Sequence, residues 1–131
     1  MENLLSQLHF QDGLIPAVIV DAEGGEVLTL GYMNAEALRE TLRTGVVHVW
    51  RRSLGRLMKK GETSGHTQHV REVRVDCEGN SLLLVVQQRV AACHAGYRSC
   101  YFRRYDPVND VLEVVDRKVF EPHQVYEKGS G

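Results

Sequence analysis

The sequence predicts a small α+β domain, predominantly β, built from antiparallel hairpins with one main helix. Three observations point there. β-Branched runs separated by glycine-containing turns recur along most of the chain, a single segment shifts to a helical period, and no internal repeat or low-complexity linker divides the sequence. A chain of 131 residues is the size of one ordinary domain, long enough to bury roughly two thirds of its unfolded surface in a single core.

Each element has a local reason. In PAVIVDAEGGEVLTLGYM two β-branched runs flank Glu23-Gly24-Gly25, the pattern of a hairpin. In NAEALRETLRTG, Asn34 suits an N-cap, Glu36 the first turn, Leu38 and Leu42 repeat at i, i+4, and Gly45 suits the stop. This predicts a helix of about three turns with one face on the sheet. VVHVW reads as a further strand, and HVREVRVDC with SLLLVVQQ as a long hairpin turning at Glu78-Gly79-Asn80. YFRRY and VLEVVDRKVF are expected to complete the sheet, and the EKGSG tail to fray.

Composition excludes several classes. A 43% hydrophobic and 25% charged chain is globular, and a net charge of −1 exerts no global pull toward nucleic acid or membrane. MENLLSQLHF lacks the basic start and apolar run of a signal peptide, and no stretch approaches the roughly 18 apolar residues of a membrane span. A cytoplasmic location is therefore expected. In a reducing compartment three cysteines are poor material for disulfides, which leaves inert buried thiols, a nucleophile or metal ligands.

Three segments carry chemistry. In AACHAGYRSC, Cys93 and Cys100 lie seven positions apart with His94 beside the first; the third cysteine, Cys77, lies at the tip of the long hairpin. C-x6-C is not a common zinc spacing, and a lone cysteine is usually a small buried hydrophobe. Three thiolates around zinc would nevertheless leave a fourth position for water, with His94 placed as general acid or base. If strand alternation holds, Cys77 points to one face of the tip and Asp76 and Glu78 to the other. Asp76, Glu78 and Asn80 then offer hard oxygens suited to Mg²⁺, although the same pattern also makes an ordinary solvated acidic turn. The third segment, RRSLGRLMKKGETSGHTQH, combines Arg51, Arg52, Arg56, Lys59 and Lys60 with three glycines and the hydroxyls of Thr63 and Ser64. Such a mixture suits a phosphate, or is simply a solvated basic loop. It contains neither a Walker pattern nor G-x-G-x-x-G.

GLIPAVIVDAEGGEVLTLGYMNAEAL, RSLGRLMKKGETSG, VDCEGNSLLLVVQQ and ACHAGYRSCYFRR, in this order and spacing, resemble the phosphoribosyl-AMP cyclohydrolases of histidine biosynthesis over roughly residues 13 to 104. The resemblance implies zinc-dependent hydrolysis of the N1–C6 bond of the adenine ring, magnesium as a second metal, and an intertwined homodimer with one zinc site per chain drawn from both chains. By position it implies Cys77, Cys93 and Cys100 as zinc ligands, His94 as the histidine assisting water, and Asp76, Glu78 and Asn80 as the magnesium set. It also implies that Arg52, Ser53, Lys60, Thr63 and Ser64 bind the substrate and its phosphates. The family's D-C-D-x-D keeps only its first aspartate here, and Met58 and Arg51 stand where tryptophan and serine are common. Residues 1–131 would form the cyclohydrolase domain with no fused pyrophosphohydrolase. The residues alone leave two rivals open: a zinc hydrolase of another nucleotide, and a non-catalytic zinc module binding nucleic acid. Few aromatics, no paired cysteine motif and a slightly negative charge weigh against the second.

Overall fold

The computed structural model describes residues 1–130, with side chains through residue 126. A short helix α1 (Glu2–Ser6) leads into strand β1 (Ile15–Asp21), which turns at residues 22–25 into β2 (Val27–Met33). The turn is possible because Gly24 and Gly25 both adopt positive φ, at 85° and 76°. β1 alternates strictly, with Ile15, Ala17, Ile19 and Asp21 buried. The hairpin therefore presents a single apolar face to the core.

Helix α2 (Ala35–Thr44) forms where its caps place it. The Asn34 side chain accepts a hydrogen bond from the Ala37 amide at 2.8 Å, and Gly45 closes the helix in the left-handed region at φ 78°. Its buried face is Ala37, Leu38 and Thr41, with Leu42 packed at the margin. Thr41 accepts a hydrogen bond from the His48 amide at 2.9 Å, locking the helix to β3 (His48–Arg51).

β5 (Gln68–Val75) and β6 (Leu82–Gln88) make the long hairpin, and Gly79 at φ 71° lets it turn. The N-terminal segment clamps this tip: His9 donates from its amide to the Gly79 carbonyl and from Nδ1 to the Glu78 carbonyl, both at 2.8 Å. Ile15, Ile19, Leu28, Met33, Leu38, Leu82, Leu84 and Val86 are fully buried between sheet and helix. Each contributes about 1.5–3 kcal/mol relative to exposure.

Three features depart from the expected hairpin stack. The four-stranded sheet has the order β2-β1-β6-β5, and β1 pairs β6 in parallel, from Ala17 beside Leu82 to Asp21 beside Val86. The sheet is therefore mixed, not purely antiparallel. Second, β3 pairs with a strand inside the basic segment, β4 (Arg56–Lys59), as a separate ribbon. Third, β7 (Arg103–Asp106) and β8 (Val111–Val114) pair only with each other and do not complete the sheet. Arg104, Asp106 and Glu113 charge one face of this ribbon, while Tyr105, Leu112 and Val114 on the other face remain exposed. A last helix, α3 (Pro122–Ser130), runs into the tail expected to fray; Gly131 and the side chains of 127–130 lie outside the described residues. Among the described residues no helix is long and apolar enough to cross a membrane.

Candidate active site

Beyond β6 the chain enters a tight loop, residues 90–100, held from three sides. Within it, the Ala92 amide donates to the Arg98 carbonyl at 2.8 Å and the Cys93 amide to Tyr97 at 3.2 Å. Toward β2, the Cys100 amide donates to Leu28 at 2.7 Å, and the Ser99 hydroxyl donates to the Val27 carbonyl at 2.7 Å. Toward β1, the Arg98 guanidinium pairs with the buried Asp21 carboxylate and donates to the Val90 carbonyl at 3.0 Å. Val90 itself sits at φ 60°, a strained position for a β-branched residue. On the outer side the Val119 amide donates to Gly96 at 2.7 Å. Gly96 adopts φ 104°, and a Cβ there would meet the Phe120 carbonyl at 2.8 Å.

This bracing brings Cys93 and Cys100 together. Cys93 is buried and its sulfur accepts from the Ala95 amide at 3.4 Å. Burial pushes the Cys100 thiol above its ordinary value; a hydrogen bond with Thr29 opposes this, and the charge of Cys93 adds to it. Two adjacent thiols with an amide aimed at one of them suit a soft divalent cation such as zinc. Cys77 is not with them. It is exposed at the β5–β6 tip, at the other end of the seven-residue strand β6, about 23 Å long at 3.3 Å per residue. Among the described residues no three cysteine, histidine or carboxylate side chains converge on one metal position.

Asp76, Glu78 and Asn80 share that distant tip and are exposed. Oδ1 of Asp76 accepts from the Asn80 and Ser81 amides at 2.6 and 3.0 Å. These bonds, that to Ser81 foremost, hold its carboxyl below the usual carboxylate range. One oxygen of Asp76 thus closes the turn, and Oδ2 remains for a cation.

Two cavities open beside the 90–100 loop. One, about 300 Å³, is lined by Lys59, Thr63, Ser64, His66 and Tyr126 among others; the second, about 480 Å³, by Thr29, Tyr32, Trp50, Arg52, Ser53 and Cys100 among others. Arg51, Lys60, Ala92 and His94 line both. The substrate residues expected from the sequence are thus divided: Thr63 and Ser64 in the first cavity, Arg52 and Ser53 in the second, Lys60 and His94 on the shared wall. The Arg52 guanidinium stacks 4.2 Å over the Tyr32 ring. Burial pushes the Lys60 ammonium below the ordinary lysine value, against the charge of Cys100.

Sequence reading missed Thr29, Tyr32, Trp50, His66 and Tyr126. Four of them lie outside the three segments that carry chemistry: Thr29, Tyr32 and Trp50 in predicted strands and Tyr126 near the C-terminus. His66 lies within the basic segment, where only the cations, glycines and hydroxyls stand out. Its ring meets Phe120 edge to face at 4.8 Å, and its Nδ1 is buried without a partner among the described residues.

The family model for phosphoribosyl-AMP cyclohydrolase matches residues 29–102, the span that contains all three cysteines and most of the cavity-lining residues. The chain belongs to the phosphoribosyl-AMP cyclohydrolase family. It is therefore an enzyme, a cyclohydrolase. It is 52% identical to the phosphoribosyl-AMP cyclohydrolase of Methanosarcina acetivorans over 122 residues, 93% of this chain and 98% of that one. The Nitratidesulfovibrio vulgaris cyclohydrolase is 52% identical over 87% of this chain and 90% of its own length. That of Haloquadratum walsbyi is 50% identical over 88% and 84%.

Proposed function

We propose that the chain hydrolyses the N1–C6 bond of the adenine ring of phosphoribosyl-AMP, opening it to the imidazole carboxamide of histidine biosynthesis. One observation carries this reading beyond family membership: two cation-lined cavities meet at a wall bearing His94 and Lys60, and Cys100 lines the second of them. A substrate with a phosphoribosyl arm on either side of a purine needs two anion-accepting cavities with the reacting ring between them. Lys59, Thr63 and Ser64 suit one phosphate, Arg52 and Ser53 the other. Trp50 and Tyr32 supply flat apolar surface for the ring.

Zinc fits the thiol pair, completed by Cys77 from a second copy of the chain. Bound there it would supply a Lewis acid that brings water's pKa near neutrality. His94, exposed at the mouth of both cavities, is placed to take the proton from water and return one to the departing nitrogen. Two features support the dimer. Cys77 is too far along β6 to reach the pair within one chain, and the β7–β8 ribbon exposes Tyr105, Leu112 and Val114 on a face that no strand covers. A free two-stranded ribbon is marginal, so a second copy is its natural support. Asp76, Glu78 and Asn80 offer a weak Mg²⁺ site, with only the carboxylate of Glu78 and one oxygen of Asp76 charged and free.

The test is spectroscopic, following conversion of the purine to the opened carboxamide. Zinc-loaded protein should turn over phosphoribosyl-AMP, and His94→Ala should retain its zinc yet lose about 10²-fold or more in kcat. Wild-type protein that is fully loaded yet leaves the substrate intact would overturn the reading.

A further inference from the structure

Lys60 stands apart from the other cations of its segment. Arg51, Arg52, Arg56 and Lys59 are exposed, whereas Lys60 is partly buried. It follows Lys59, the last residue of β4, and lines both cavities where Lys59 lines only the first. The Lys60 amide donates to the Val47 carbonyl at 2.9 Å, which fixes the backbone from which the side chain projects. Its ammonium has no carboxylate partner among the described residues, although Arg56 of the same ribbon pairs with Glu62. It faces both cavities at the wall it shares with His94, close enough to Cys100 and Cys93 to feel their charge. Lys59, which lines the first cavity alone beside Thr63 and Ser64, is the lysine placed for a phosphate.

We propose that Lys60 is a catalytic residue, its ammonium set against the negative charge that develops when water's oxygen bonds to C6, and not a phosphate ligand. The proposal rests on the phosphoribosyl-AMP reading above. In that reaction the oxygen of water becomes the carboxamide oxygen and the N1–C6 bond breaks with its electron pair going to N1. One proton of the water ends on N1 and the other on the exocyclic nitrogen, so no further reactant is required. A fixed cation in a half-enclosed wall stabilises the charged stage of this addition more than the neutral substrate, which lowers the barrier without tightening binding.

The test compares Lys60→Met, Lys60→Arg and Lys59→Met by steady-state kinetics on phosphoribosyl-AMP, by calorimetric titration with AMP, and by elemental analysis for zinc. Lys60→Met should lose about 10²-fold in kcat, with KM, AMP affinity and zinc content those of wild type. Lys60→Arg should recover part of kcat. Lys59→Met should raise KM and weaken AMP while sparing kcat. Should Lys60→Met fail to fold, Lys60→Arg decides alone: reduced kcat at unchanged KM and AMP affinity supports the role. Raised KM and weakened AMP binding at unchanged kcat in either Lys60 variant would return Lys60 to the phosphates and overturn the proposal. A wild-type protein without turnover would instead remove the reading beneath it.

Discussion

Arg98→Met should unfold the protein several degrees earlier by stranding a buried charge. Asp21 is only 7% exposed at its side chain, and its charge partner is Arg98, which is 35% exposed. Without the guanidinium, Asp21 retains a single hydrogen bond, from the Glu23 amide at 3.2 Å. Breaking a fully buried pair costs about 3–5 kcal/mol. Here the arginine borders a polar cavity with Asp21, Glu23, Gln87 and Gln88, through which water can reach the carboxylate, so about 2 kcal/mol is expected. For a chain of this length that is a fall in Tm of roughly 6–10 °C, read by circular dichroism near neutral pH. The Asp21→Asn, Arg98→Met double variant should be less destabilised than the sum of the single ones, by about 1 kcal/mol or more. A Tm within about 2 °C of wild type, or strict additivity, would refute the reasoning.

Other expectations can be checked alongside. Asn34→Ala removes the N-cap of α2 and should cost about 1 kcal/mol in urea unfolding. Val90→Asn, at φ 60°, should relieve strain and raise stability by about 1 kcal/mol in the same assay; a loss there would mean that the valine side chain is needed for packing. Gly61→Ala is expected to fold poorly, because a Cβ would meet the His66 carbonyl carbon at 2.6 Å and φ is 85°; wild-type melting would contradict this. Burial holds the His66 ring below its ordinary pKa. The unfolded chain therefore takes up that proton first as pH falls, and stability is lost from just above the ordinary histidine value downward through the folded one. Between about pH 7 and pH 5, His66→Asn should lose less Tm than wild type does.

What was legible in the sequence was local. Asn34 and Gly45 mark the ends of α2 because capping is settled within three or four residues, and Gly24 and Gly79 mark their turns because only glycine takes those angles cheaply. The parallel contact of β1 with β6 joins residues more than sixty positions apart, and nothing in either strand names its partner. β4 was hidden in a basic, glycine-rich segment because Arg56–Lys59 is only four residues long and flanked by the breakers Gly55 and Gly61. At the candidate site, Cys93, His94 and Cys100 stood out because all three lie in one short segment. Thr29, Tyr32 and Trp50 did not, because β2 and β3 bring them in from strands distant in sequence that carry no motif. The division of the basic segment between two cavities likewise depends on the β3–β4 ribbon turning Arg52 and Ser53 away from Thr63 and Ser64.

Complementation between two inactive variants tests most directly whether Cys77 of one chain completes the Cys93 and Cys100 pair of another. Cys77→Ser and the Cys93→Ser, Cys100→Ser double variant would be unfolded together, refolded with zinc and assayed on phosphoribosyl-AMP. A shared site predicts that each mixed dimer regains one intact centre, so that turnover returns to about a quarter of wild type when half the dimers are mixed and one of their two sites is whole. Turnover no greater than that of the separately refolded variants would contradict a site assembled from two chains.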